Sequence, residues 1–162
     1  MSPWYLHISC KHQRLEVYHN HRCMQSMSIS TGKKGTGQQK NSGKTPLGWH
    51  CIAEKFGDDA PINSVFVARK PTGEIYTSEL KENNPERDWI LTRILRLKGL
   101  ELGVNLEGEV DTYQRYIYLH GTPVETILGV NGSKGCIRVR NRAIVKLYNQ
   151  VSVGTPVYIS DK

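Results

Sequence analysis

At 162 residues with a formal net charge of +7, the chain has the length of one domain, spanning residues 1–162, that buries roughly two-thirds of its unfolded surface without needing staples. No apolar run of about 18 residues occurs, which excludes a membrane-spanning helix. The four cysteines at positions 10, 23, 51 and 136 show no C-x-x-C spacing, which argues against a dense disulfide framework. Fifteen glycines, seven prolines and short apolar runs point to a strand-rich chain.

In chain order, residues 4–9 (WYLHIS), 15–18 (LEVY) and 23–30 (CMQSMSIS) read as three short strands in an antiparallel meander, with His19-Asn20-His21-Arg22 as a hairpin turn. His19, His21 and Cys23 form no metal site in this reading, because a turn at Asn20 scatters them and no fourth ligand is spaced nearby. Residues 31–44 are polar, basic and rich in glycine. Gly43-Lys44-Thr45 resembles the end of a phosphate-binding loop, but that pattern needs glycine where Gln38 stands, so a nucleotide site fails on spacing. Val65 to Ala68 and Glu74 to Tyr76 read as strands around a Pro71-Thr72-Gly73 turn. Asn84-Pro85 fits a helix start, with Ile90, Ile94 and Leu97 at helical spacing.

The stretch from Tyr116 to Asn141 carries the chemistry. Tyr116 to Leu119 reads as a buried strand that delivers His120 at its end. Cys136 follows Gly132, Ser133 and Gly135, which leave little bulk and let the backbone approach a ligand closely. A thiol attacks a carbonyl as thiolate, and a cysteine with an ordinary pKa of about 8.5 needs a base such as imidazole, about 6.5, within reach. His120 and Cys136 are the natural pair, successive amides in the glycine turn suit an oxyanion hole, and Arg138 suits a carboxylate. Beyond the motif, Asn141 reads as an N-cap, Ile144, Leu147, Tyr148 and Val151 share one helix face, and Val157 to Ser160 form a last strand after a Gly154-Thr155-Pro156 turn.

H-G-T at 120–122, followed by S-K-G-C-I-R-V-x-N at 133–141, resembles the signature of the L,D-transpeptidase (YkuD-like) family of murein-acting cysteine enzymes. The resemblance implies a mainly β fold, a sandwich or barrel with one or two short helices. It implies Cys136 as nucleophile, His120 as general base and the Gly121 carbonyl as the group orienting the imidazole. Ser133, Gly135, Arg138, Thr122 and Asn141 fall at motif positions that shape the substrate and oxyanion region. Lys134 stands where most members carry a second histidine, and an ammonium there could favour thiolate or bind a substrate carboxylate. Ser30, Thr31, Pro46 and Gly48 match family positions that line the groove. The family places the segment around residues 90–101 in the sheet, so that element stays open between helix and strand.

From Asp88 onward the chain resembles a short, leaderless branch of the family, similar to cytosolic L,D-carboxypeptidases that trim D-alanine from murein tetrapeptides. The implied partner is a murein peptide, with no metal or organic cofactor. Hydrolysis and cross-linking differ only in the acceptor, which the sequence leaves open, as it does the oligomeric state. The N-terminal segment lacks a secretory signal, and the three cysteines besides Cys136 suit a reducing compartment, so a cytoplasmic location is expected, with a periplasmic one if a leader has been lost. The alternative class is a basic module that binds nucleic acid or another polyanion. Its cations are scattered, with a single modest cluster at 33–44 and no interleaved stacking aromatics, which disfavours it.

Overall fold

The structure is a computed structural model, and it describes residues 3–162. Among these residues ten strands join in one curled, mixed sheet. The path begins with the expected meander of β1 (Trp4–Ser9), β2 (Arg14–His19) and β3 (Arg22–Ser28). Asn20 and His21 take φ of 49° and 66°, the left-handed pair that closes a two-residue hairpin with the twist of its strands. His19 packs on Trp4 with ring centroids 4.3 Å apart. The chain then crosses the sheet to β4 (Gly48–Phe56), and the C-terminal β10 (Pro156–Ser160) fills the gap between β1 and β4.

β5 (Ser64–Val67) and β6 (Lys70–Ile75) form an edge hairpin. Its turn is Ala68-Arg69, with φ of 47° and 65°, and not the expected Pro71-Thr72-Gly73. Pro71 lies inside β6, which it can because β6 is an outer strand whose lost amide faces no neighbour. The short helix α1 (Ser78–Asn83) precedes Asn84, with the Thr77 hydroxyl accepting from the Leu80 amide at its start. Asn84 is therefore the C-cap of one helix and does not begin another.

The open segment is a strand, β7 (Ile90–Gly99), paired with β4, β5 and β8 (Tyr118–Thr122). It is buried from Leu91 to Leu97, so no alternation of apolar and polar residues marks it as a strand. A register shift between Leu91 and Ile94 also rotates its side chains. β9 (Ile137–Arg140) runs parallel to β8, and α2 (Asn141–Gln150) follows. Arg140 is the N-cap residue and Asn141 the first helical one, a shift of one residue from the expected cap. Ile144, Leu147 and Tyr148 turn the apolar face of α2 onto β7, β8 and β9, and Val151 closes it. The main core gathers Leu6, Ile8, Ile52, Leu95, Leu119 and Ile137 between this helix and the sheet.

Candidate active site

β8 and β9 carry the site because they are adjacent parallel strands in fixed register: His120 lies opposite Arg138 and Leu119 opposite Ile137. Alternation then puts Tyr118, His120 and Arg138 on one face, and Cys136, one residue before β9, packs against Tyr118 on that face. Both electrostatic surroundings contain the same two charges, Asp88 and Arg138. The sheet thus sets His120 and Cys136 on one face from opposite ends of a 15-residue connection.

His120 is buried, and its Nδ1 lies 2.6 Å from the Gly121 carbonyl. A carbonyl can only accept, so Nδ1 carries the proton and Nε2 presents its lone pair. Burial lowers the imidazole pKa, against smaller opposing effects from the Gly121 carbonyl and Asp88, which keeps the ring neutral and able to accept a proton. Gly121 is obligatory at its position: a Cβ there would lie 2.2 Å from Asn141 Oδ1 and 2.5 Å from the Leu91 carbonyl.

The Cys136 thiol donates to the Tyr116 carbonyl at 3.4 Å and accepts from the Tyr118 amide at 3.3 Å. Its resting partners are therefore backbone groups of the strand entering β8, and not the imidazole. Burial pushes the thiol up to about 12, while the Tyr118 amide and the cations Arg138 and Arg115 act the other way. Although Cys136 keeps some solvent exposure as a residue, the sulfur rests protonated.

The turn before Cys136 is tied together by Ser133, whose hydroxyl donates to the Cys136 carbonyl at 2.5 Å and accepts from the Gly135 amide at 3.1 Å. Gly135 takes φ 121°, which side chains rarely permit, and its amide is spent inside the turn and does not face a ligand. Lys134 is exposed and does not line the adjoining cavity. Thr122 is buried, bonded to Thr126 at 2.8 Å, and lines that cavity. Arg138 reaches into it as well, 3.9 Å from Asp88. Asn141 faces away: its side chain accepts from the Thr92 hydroxyl at 2.7 Å and donates to Asn63 at 2.8 Å, bracing the backbone behind Gly121.

The early loop fastens this turn. Ser30 bridges to Arg138 and Gly32 to Ser133, and the Thr31 carbonyl accepts the amides of Gly132 and Ser133 at 2.9 Å each. The Thr45 hydroxyl donates to the Gly135 carbonyl at 2.9 Å. Ser30, Thr31 and Pro46 are all buried, while Gly48 lines a separate cavity with Gln38 and Glu101. Sequence reasoning missed Asp88, Arg115 and Thr92. Arg115 clamps the loop by donating to the carbonyls of Gly37, Gln38 and Lys44. No motif signals these three, since each acts through contacts distant in sequence.

A neutral imidazole and a thiol thus share one sheet face, and although neither lines it, a cavity of about 470 Å³ opens next to them, with Arg138, the register partner of His120, in its wall beside Asp88, Trp89, Thr122 and Gly132. Among solved structures, the fold is similar to an L,D-transpeptidase from Mycobacterium smegmatis, with 20% identity, TM-score 0.62, and coverage of 98% of this chain and 59% of that one. It is similar to L,D-transpeptidase 3 from Mycobacterium tuberculosis, in complex with a faropenem-derived adduct, at 17% identity and TM-score 0.60, covering 98% of this chain and 60% of that one. A C442S mutant of an Enterococcus faecium L,D-transpeptidase matches at 14% identity and TM-score 0.59, covering 99% of this chain and 50% of that one. The chain thus spans less than two-thirds of the length of these structures. No curated protein matches it. The family model described as the L,D-transpeptidase catalytic domain matches residues 3–159, so the chain belongs to that family.

Proposed function

We propose that the chain cleaves the bond between meso-diaminopimelate and D-alanine in murein tetrapeptide stems, with Cys136 as nucleophile and water as the final acceptor. The observation that supports this reading is the fixed register of β8 and β9, which sets a proton-accepting His120 on the face of the Cys136 thiol and turns its register partner Arg138 into the neighbouring cavity. On substrate binding, the thiol proton passes to His120 Nε2 and Sγ attacks the carbonyl carbon of the L-centre. The oxyanion takes the Cys136 amide, since the Gly135 amide is already bonded to Ser133. Collapse breaks the C–N bond, His120 returns the proton to the departing amine of D-alanine, and a thioester remains. Water then attacks the thioester, giving its proton to His120 and releasing the tripeptide with the thiol restored.

The preference for water rests on the likeness of the chain from Asp88 onward to short cytosolic L,D-carboxypeptidases, and the same likeness supports a role in murein recycling in the cytoplasm. An amine from a second stem peptide in place of water makes the reaction a transpeptidation. Incubation with disaccharide tetrapeptide, with and without an acceptor peptide, separates the two: tripeptide plus free D-alanine is expected, and dimer as the main product overturns the hydrolytic reading. Cys136→Ala is expected to abolish D-alanine release with the fold intact by circular dichroism. Retained turnover in that variant refutes the nucleophile.

A further inference from the structure

Asp88 lies at the mouth of the cavity, just before β7, and its carboxylate is 3.9 Å from Arg138, beyond hydrogen-bond distance. The side chains of Arg138 and Asp88 are 22% and 40% exposed, so both reach solvent through that mouth. Of the other charges in the wall, Lys81 is exposed at its rim, while Arg87 and Glu125 are engaged elsewhere. Arg87 donates twice to Glu74, at 2.8 and 3.2 Å, and stacks on Trp89. Glu125 accepts from Tyr76 and Ser78 at 3.1 and 2.8 Å. Asp88 and Arg138, the latter the register partner of His120, therefore stand side by side in the wall as a loose ion pair that shares no hydrogen bond.

An anion and a cation spaced this way complement the head of a free α-amino acid, whose ammonium and carboxylate stand on one carbon. We propose that Asp88 takes the ammonium and Arg138 the carboxylate of such a head, making Asp88 a specificity-determining residue for stem peptides whose third residue ends in a zwitterion. This rests on the murein-peptide reading, in which the D-centre of meso-diaminopimelate supplies that head. A neutral or acetylated amine leaves Asp88 without its partner, and a side chain ending in an amine alone leaves Arg138 without its own.

The test is calorimetric binding of disaccharide tetrapeptide to Cys136→Ala protein, before and after acetylation of the single free amine of the peptide. Acetylation is expected to weaken binding about fivefold, in keeping with a half-exposed charge pair. In the Asp88→Asn, Cys136→Ala protein the two ligands are expected to bind equally, and Asp88→Glu is expected to restore part of the preference. An acetylation penalty that is absent, or that persists unchanged in Asp88→Asn, overturns the proposal. Release of D-alanine by the wild-type protein regardless of acetylation leaves the hydrolytic reading standing without it. An Asp88-dependent preference in a protein that releases no D-alanine does the reverse, and absence of binding sinks both.

Discussion

Cys136 rests as a thiol because protein surrounds its sulfur, and the Tyr118 amide and nearby guanidinium groups only partly offset the lost hydration. In the proposed mechanism, reactivity then comes from proton transfer to His120 once a substrate carbonyl is in place, and not from a standing thiolate. With the thiol pushed up to about 12, iodoacetamide labelling of Cys136 in the free protein is expected to accelerate continuously from pH 7 to pH 10. A plateau at or below neutral pH, followed by mass spectrometry of the Cys136 peptide, would sink this account. The residue most suggestive of tuning in the sequence, Lys134, is exposed and points the explanation elsewhere. The charges that Cys136 and His120 share are Asp88 and Arg138, of which only Arg138 belongs to the motif.

Among the elements, β7 holds the least expected device. Thr92 takes φ 75°, a left-handed conformation that is unfavourable for a β-branched residue and costs on the order of 1–3 kcal/mol. It is held there by its hydroxyl, which donates to Asn141 and accepts from the Asn63 amide at 3.1 Å. The same Asn141 oxygen closes over Gly121, whose carbonyl sets the imidazole. Strain in β7 and orientation of His120 are thus coupled through one side chain. Thr92→Val keeps the shape and removes the hydroxyl, leaving buried polar groups unpaired. Urea unfolding is expected to show a loss of about 1–3 kcal/mol, with kcat for the proposed D-alanine release falling more than KM changes. Unchanged kcat together with the stability loss would reduce Thr92 to a purely structural role. Helical spacing of Ile90, Ile94 and Leu97 misreads this strand because its register shift and burial on both faces erase the period of two.

At the scale of the whole molecule, pH sensitivity lies partly far from the site. His50 is buried, with Nδ1 donating to the Gly48 carbonyl at 3.0 Å and Nε2 accepting from Thr112 at 2.9 Å. Burial lowers it from 6.5 to about 4, so the unfolded chain takes up a proton before the folded one does. Its contribution is present above pH 6.5 and is lost as pH falls toward 4, amounting to at most about 3 kcal/mol. Thermal melts are expected to show the midpoint dropping across that window, and His50→Gln is expected to flatten the drop. An unchanged acid slope in the variant assigns the effect to other groups. The sequence by itself determined the mainly β class, the opening meander with its Asn20-His21 turn, the amphipathic face of the last helix and the motif from His120 to Asn141. Each is written in residues close along the chain, through period, turn chemistry or spacing. Only the tertiary structure decided that residues 90–99 form a central strand, that Asn141 braces Gly121 and that Asp88 stands beside Arg138. Those outcomes depend on partners distant in sequence, which no local pattern encodes.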